Sequence, residues 1–446
     1  LMFVAWVGLN VSLFGSSDRT DKYFQDLINT HLGSIVYPYE AHDDITVLLL
    51  TDQTLNSEEL QGRWPTSYDF HANVLKTLLR YKPKALFIDF LWLSHRTYSP
   101  ETGRLDGEDL IDVLQKYQAE GISVYVPYTE VVARNWPQFE GLVTWVSVPL
   151  GFNVSDFIAR VYPIEQNGIP TAAFKIKSDL TRESPQQISD RPMDIVWGTR
   201  QNHKNEIWMA DASRSVQASL ADSIWATLSQ GYDHVAYRVP YSTTLFVRDL
   251  LTQVALTPEE AYEQTKEYVN DKIILYGANL EGVNDMIFTP ARNVLPGVYY
   301  HAMALDNLLQ LGDSYKSEDG PGSNATLNLH GLLSFLTVFP VAVFCAFGYA
   351  VSKGQIPAKR YPLKRVRAFV EWSGKYPYWR LTLITILLLF WFGFAAWVEF
   401  AYFNYSASVV MGYVQVIVLG FFMEKTMLID RTIDRIQALF FWLKNR

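Results

Sequence analysis

Acidic side chains follow apolar runs that have the composition of buried strands. Asp52 comes directly after the run Ile45–Thr51, and Asp89 comes directly after Ala85–Ile88. In an open α/β sheet, ligands bind beyond the carboxyl ends of the strands, so residues just past those ends share one edge. The candidate cluster predicted at this edge comprises Asp52, Arg63, Asp89, Asn279, Asp285 and His301.

The chemistry of this cluster depends on what compensates its acidic side chains, because carboxylates at close range repel one another. Arg63, His301 or a bound cation would supply positive charge. A helix predicted to start near Tyr299 would present free backbone N–H groups to an anion. The alternative is a structural role, since an Asp at a strand end often caps the next helix or tightens a turn. The sequence leaves both interpretations open.

The local signatures of common catalytic sites are missing from the sequence. It has no Gly-rich phosphate loop, no G-x-S-x-G elbow, no H-E-x-x-H and no kinase or cyclase pattern. The single cysteine, Cys345, excludes a Cys-based zinc site, and no stretch has the spacing of an EF-hand loop. We therefore expect no enzyme activity, no cofactor and no resident metal ion.

Strands and helices are predicted to alternate around the cluster. The strand runs are 45–51, 85–88, 122–126 and 273–276, and a turn at Gly277–Asn279 is predicted to follow the last of them. Helical spacing covers 70–81, 110–120 and 299–311. This alternation predicts right-handed crossovers and an α/β domain with a mainly parallel, doubly wound sheet. Between these blocks, 193–198 and 235–240 are predicted as short strands and 216–229 as a helix.

Long apolar runs toward the two ends of the chain predict about four transmembrane helices. Three spans are predicted at 331–351, 381–401 and 405–423. Residues 1–15 are interpreted as the outer end of a first transmembrane helix that starts upstream. The alternative for 1–15 is the apolar core of a signal peptide, although Gly15, Ser16 and Ser17 do not form a clear cleavage site.

The charge pattern sets the expected orientation in the membrane. The loop 352–380 carries eight basic residues and one acidic residue, so the positive-inside rule places it in the cytoplasm. The domain 16–330 is then outside the cytoplasm, and its strongly acidic net charge does not suit nucleic-acid binding, which needs a basic surface. The tail 424–446 has the pattern of an amphipathic helix on the inner membrane surface, with a coupling helix to a cytoplasmic partner as the alternative.

Two stretches resemble the CHASE2 family of extracytoplasmic sensor domains. The first is 45–93, ITVLLLTDQTLNSEELQGRWPTSYDFHANVLKTLLRYKPKALFIDFLWL, in which two strands that end in Asp flank an RWP-like turn and a helix. The second is 272–309, KIILYGANLEGVNDMIFTPARNVLPGVYYHAMALDNLL, which is similar to the family's closing block. The resemblance covers roughly 20–315, and the predicted spans around it agree with the family's layout.

The resemblance implies a sensory role and leaves the output unassigned. Family members often have Trp-Pro-Trp followed by a basic residue, whereas Trp64-Pro65 is followed here by Thr66, Ser67 and Tyr68. Most relatives continue after the last span into a cyclase, kinase or other output domain, and no such domain follows within this sequence.

Two functions are compatible with these features. In the first, the protein is a receptor in the bacterial inner membrane that detects a periplasmic signal or partner and relays it across the membrane. In the second, it is a structural subunit of a cell-envelope complex, and the outer domain is a docking platform. Both predict contact with membrane lipid and with a protein partner in the periplasm or membrane, and both leave self-association open.

Overall fold

The computed structural model of the chain describes residues 26, 37–38, 40–57, 60–93, 107–149, 158–185, 191–198, 202–206, 240–251, 258–283, 285–290 and 294–317. Contacts divide the chain into one unit of 29–318 and another of 1–28 with 319–446. All elements below lie in 29–318. Among the described residues, no helix combines the length and apolarity needed to cross a membrane. The predicted segments 1–15, 331–351, 352–380, 381–401, 405–423 and 424–446 lie outside the described residues.

Short strands make up the β-structure. In chain order they are β1 (Ile45–Thr51), β2 (Ala85–Ile88), β3 (Ser123–Pro127), β4 (Thr144–Val146), β5 (Val161–Tyr162), β6 (Glu165–Gln166), β7 (Ile169–Pro170), β8 (Met193–Asp194), β9 (Thr243–Phe246), β10 (Ile273–Asn279), β11 (Met286–Phe288) and β12 (Val294–Pro296). Six of them form one sheet in the order β4-β3-β2-β10-β1-β9, and every pairing in it is parallel. The others form the antiparallel pairs β5–β8, β6–β7 and β11–β12.

The helices connect these strands. They are α1 (Asp52–Leu55), α2 (Tyr68–Leu79), α3 (Glu108–Ala119), α4 (Glu130–Asn135), α5 (Ala172–Thr181), α6 (His203–Glu206), α7 (Val247–Leu251), α8 (Pro258–Val269) and α9 (Val298–Leu311). Short 3-10 helices cover Glu40–Asp44, Pro137–Phe139 and Gly312–Ser314. Ser67 caps α2 through its hydroxyl, which accepts from the Phe70 N–H at 3.2 Å, and Thr129 caps α4 in the same way.

Strand β10 occupies the middle of the sheet although it comes late in the chain. Tyr276 aligns with Leu48 of β1 on one side and with Ile88 of β2 on the other. Residues 45–50 of β1 are all buried, as are all residues of β2, because helices cover both faces of a parallel sheet. Alternate residues of β1, β2 and β10 share one apolar core with α2 and α3.

Helix α9 packs on the opposite face of the sheet. A Cβ at Gly277 of β10 would lie 2.6 Å from the Cβ of Val298, so only glycine lets the start of α9 approach the strand this closely. The Tyr299 hydroxyl pairs with the Thr244 hydroxyl of β9 at 2.7 Å. Every residue from Val298 to Leu308 is buried, so α9 is a central element of the core.

The α/β class and the mainly parallel sheet are confirmed, and the bounds of β1 and β2 match the sequence prediction. The predicted Gly277–Asn279 turn is wrong, because these residues extend β10 and align with Leu49, Leu50 and Thr51 of β1. The predicted strand 193–198 is shorter, with only Met193–Asp194 pairing, antiparallel to β5. The helix predicted at 216–229 and residues 235–239 lie outside the described residues.

The strand order predicts that the domain folds as one unit. Both neighbours of β1, which are β9 and β10, come after Pro240 in the chain. A fragment 29–240 would therefore leave β1 without a pairing partner and would expose the edge of β2. We expect the fragment 29–318 to melt cooperatively in circular dichroism, and 29–240 to aggregate or stay unfolded. A sharp melting transition of soluble 29–240 would contradict the single-unit fold.

Candidate functional site

The strand-end residues meet at the carboxyl edge of the sheet. Asp52 is the first residue of α1, directly after β1, and Asn279 is the last residue of β10. The backbone N–H of Asp89 donates to the Tyr276 carbonyl at 2.8 Å, which extends the ladder between β2 and β10 by one residue. Asp52 and Asp89 therefore flank the end of β10 on its two sides.

Asp89 and Asp285 form the electrostatic centre of this edge. Burial of the carboxyl, as the main cause, and the nearby Asp285 carboxylate, as the second, raise the pKa of half-buried Asp89 to about 8. Burial also raises the pKa of Asp285 to about 6. The Asp285 residue as a whole is exposed, but its carboxylate is packed against Gly297, and this local loss of water accounts for the shift. At neutral pH Asp89 therefore retains its proton.

Asp285 lies against the start of α9. Its Oδ1 is 2.4 Å from the position that a Cβ at Gly297 would occupy, so any larger residue there would displace the carboxylate. The Gly297 N–H donates to the Asp285 carbonyl at 2.8 Å, which fixes the loop before β11 to the helix. The sequence predicts that the start of this helix presents free N–H groups to an anion. In the structure, a carboxylate of the chain itself lies at that position, where the helix dipole favours negative charge.

His301 is bound to a tyrosine that the sequence analysis did not single out. The Tyr162 hydroxyl accepts from the Ala173 N–H at 3.2 Å and lies 2.8 Å from Nδ1 of His301. A hydroxyl oxygen can accept more than one hydrogen bond, so the donor in this pair depends on the imidazole tautomer. Burial lowers the pKa of His301 to about 3, so the ring is neutral at physiological pH. The expectation that His301 supplies positive charge to the carboxylates is therefore wrong.

Tyr162, the partner of His301, lies within electrostatic range of Asp89. Burial is the main reason that the pKa of Tyr162 lies above its ordinary value, and the Asp89 carboxylate adds to that rise. The His301 ring also packs edge-on against Phe87, whose side chain is buried two residues before Asp89. Asp89, Asp285, Tyr162 and His301 are thus neighbours on the α9 side of the sheet, and we call them the edge cluster.

The other predicted site residues do not join the edge cluster. Asp52 accepts a hydrogen bond from the Glu281 N–H at 2.9 Å, so it braces the loop after β10. Arg63 and Asn279 are exposed, and the side chain of neither forms a hydrogen bond or ion pair in the described part of the chain. The predicted compensation of the carboxylates by Arg63 is therefore not observed. Asp52 fits the structural alternative for an Asp at a strand end.

The edge cluster has an unusual charge balance. Within the described residues, neither Asp89 nor Asp285 has a side-chain hydrogen bond or an ion pair with a basic residue. No described group of three or more His, Cys, Asp and Glu side chains is arranged to hold a metal ion. Two carboxyls that lack a cationic partner take up a proton, or a ligand that donates hydrogen bonds and carries positive charge.

Tyr162 and Gly297 complete the site and were missed at the sequence level. Tyr162 lies in a two-residue strand, so no periodic pattern marks it. Gly297 lies in the quoted Pro-Gly pair before α9, but nothing in the sequence indicates that Asp285 packs on it.

Large apolar side chains are also exposed in the loops at the same edge: Trp64 at 39%, Leu91 at 55% and Leu93 at 50%.

The raised pKa values predict how the stability of 29–318 depends on pH. The folded pKa of Asp89, about 8, exceeds its ordinary value of 3.8, so the folded state binds more protons between these values and stability falls as pH rises. Asp306, whose pKa is raised to about 7, acts in the same direction. The pKa of His301 is lowered from 6.5, so its opposite effect, a gain in stability with rising pH, fades once the pH exceeds 6.5. We expect the free energy of unfolding to fall between pH 6.5 and 8.

Asp89→Asn should reduce this dependence and raise the Tm at pH 8, because the neutral amide no longer requires a charge at the edge. For a domain of this size, each 1 kcal/mol corresponds to about 2–4 °C. The measurement is urea and thermal unfolding of 29–318 at both pH values. Asp313→Asn, at an exposed acid, is the control for net charge. A lower Tm for Asp89→Asn at both pH values would instead indicate a stabilising bond to the ionised Asp89.

In a comparison with protein families, the model of the CHASE2 domain matches residues 2–342. Comparison with curated proteins and with solved structures gives no match. CHASE2 domains are extracytoplasmic sensory domains. The family match covers most of the chain and includes the whole edge cluster, and so the protein belongs to the CHASE2 family.

Proposed function

We propose that this protein is a membrane-anchored sensor that detects its signal at the edge cluster and relays it across the bacterial inner membrane. One observation carries the proposal: Asp285, a member of the cluster, lies directly against the start of α9, the last α-helix of the described residues. A change in the charge or occupancy of Asp89 and Asp285 thus acts on the element that leads toward the predicted span 331–351. The chain itself is not an enzyme in this proposal.

The relay requires a ligand or proton that distinguishes two states of the domain. Protonation or a cationic ligand at Asp89 and Asp285 relieves the repulsion between their carboxylates, whereas loss of both protons leaves two charges beside the N-terminus of α9. Because α9 is buried along most of its length, a shift at its start is carried by a rigid element rather than absorbed by solvent-exposed side chains.

The membrane part of the proposal rests on the sequence. Apolar runs before and after the domain supply the predicted spans, and the basic loop 352–380 favours a cytoplasmic position for itself and, after two further spans, for the tail. The domain is then periplasmic, in agreement with the extracytoplasmic character of the family.

A docking role in an envelope complex is the second candidate. The exposed Trp64, Leu91 and Leu93 favour it, because aromatic and aliphatic side chains at one edge suit a protein partner. In that case the edge cluster would have only a structural role, and substitutions within it would change stability without changing a transmitted signal.

A cyclase fusion separates these candidates. The catalytic domain of an adenylate cyclase is joined after Arg446 and expressed in cells that lack their own cyclase, with cyclic AMP as the output. If the protein is a sensor, Asp89→Asn should change the output by about fivefold for each 1 kcal/mol by which it biases the two states. The matched control is Asp313→Asn, which removes the same charge from an exposed position.

The possible failures of this experiment are distinct. An active fusion whose output is the same for wild type, Asp89→Asn and Asp285→Asn would contradict sensing at the edge cluster. A fusion that is present in the membrane but makes no cyclic AMP, while the same cyclase is active alone, would contradict a cytoplasmic tail. Loss of the full-length fusion from the membrane would contradict the anchoring.

A further inference from the structure

The second half of α9 binds the segment through which the chain enters the domain. The Tyr37 hydroxyl, upstream of β1, donates to Oδ1 of Asp306 at 2.5 Å, and these residues are 269 positions apart in the sequence. Both side chains are buried, with Tyr37 at 4% and Asp306 at 2% exposure. Gln310 lies one turn further along α9. With its amide oxygen turned toward the 3-10 helix Glu40–Asp44, it accepts from the N–H groups of Glu40 and Ala41 at 2.8 and 2.6 Å.

The same half of α9 also binds the segment 191–196, which contacts the residues through which the chain leaves the domain. The Asn307 side chain accepts from the Val196 N–H at 2.9 Å and donates to the Val196 carbonyl at 3.0 Å. Two residues earlier, the Asp194 N–H donates to the carbonyl of Lys316, which follows α9. The Tyr315 hydroxyl also donates to the Arg191 carbonyl. The segments through which the chain enters and leaves the domain are therefore both held at the second half of α9.

Burial of the Asp306 carboxyl is energetically unfavourable. Burial is the main cause that raises its pKa to about 7, the Asp44 carboxylate adds to the rise, and the hydrogen bond from Tyr37 opposes it. An apolar residue of similar size would avoid the cost of burying a carboxyl. The hydrogen bond to Tyr37 gives this carboxyl a specific geometry, because the entry segment must stay where the hydroxyl reaches Oδ1.

We propose that the Tyr37–Asp306 hydrogen bond is a latch that fixes the entry segment to α9, so that the two chain ends of the domain move together. The latch is a property of the domain by itself. Its use in transmitting a signal rests on the proposed sensor function. When the bond is intact, displacement of α9 displaces the entry segment with it. When it is broken, the entry segment is held less tightly, through the bonds that Gln310 accepts from Glu40 and Ala41.

Dipolar EPR on the full chain in lipid nanodiscs tests the latch. Cys345 is replaced by Ser, and spin labels are attached at cysteines that replace Glu40 and Asp313, which are exposed on the entry and exit sides. We expect a narrow distance distribution for the otherwise unchanged chain and a broader one for Tyr37→Phe. Tyr299→Phe is the matched control, because it removes a buried tyrosine hydroxyl that bonds within the domain, to Thr244, and should leave the distribution narrow.

Asp306→Asn provides the second variant, since the amide oxygen keeps an acceptor for Tyr37 at the same volume. It should retain a narrower distribution than Tyr37→Phe, and the double variant should be no broader than Tyr37→Phe alone. An unchanged distribution in Tyr37→Phe, or equal broadening in Tyr299→Phe, would overturn the latch. Because the readout is a distance and not a signal, this failure is separate from a failure of the cyclase fusion.

Discussion

Strand β10 lies between β1 and β2 in space but follows them by more than half of the domain in sequence. Its backbone therefore completes the hydrogen bonding of both strands, and its Gly277 sets how closely α9 can approach the sheet. The arrangement of side chains at the carboxyl edge of the sheet depends on the position of β10 between β1 and β2. Asp52 and Asp89 flank the end of β10, and Asp285 follows it in the next loop. His301 lies on α9, the helix that can pack closely on the sheet because residue 277 is glycine.

The edge cluster differs from an ordinary set of strand-end capping residues in its electrostatics. Asp52 behaves as the structural alternative requires, because it accepts a backbone N–H and braces a loop. Asp89 and Asp285 instead interact electrostatically without a basic partner among the described residues, and burial raises the pKa of both. A pair of this kind lowers the stability of the folded state at high pH. A function for the charge state of this pair, or for a ligand bound to it, would explain why it lies beside the start of α9.

The sequence predicted the elements whose signal is local. The apolar runs that end in Asp52 and Asp89 gave the bounds of β1 and β2, and the shared edge followed from the rules for parallel sheets. The errors have a common physical cause, which is that they depend on contacts between distant segments. Gly277–Asn279 looks like a turn until pairing with β1 makes it a strand. His301 looks like a source of positive charge until burial beside Tyr162, far away in sequence, makes the neutral ring the favoured form. No periodic pattern marks Tyr162 or the pairing of Tyr37 with Asp306.

The central claim is that α9 connects the edge cluster to the place where the chain enters and leaves the domain. Hydrogen–deuterium exchange of the full chain at pH 8, compared between wild type and Asp89→Asn, tests it most directly, because amide protection reports local opening along the helix. Removing the charge at Asp89 should increase protection along all of Val298–Leu311 and in the entry helix Glu40–Asp44. An increase confined to the residues around Asp89, Asp285 and the first turn of α9, with 306–311 and 40–44 unchanged, would contradict the account.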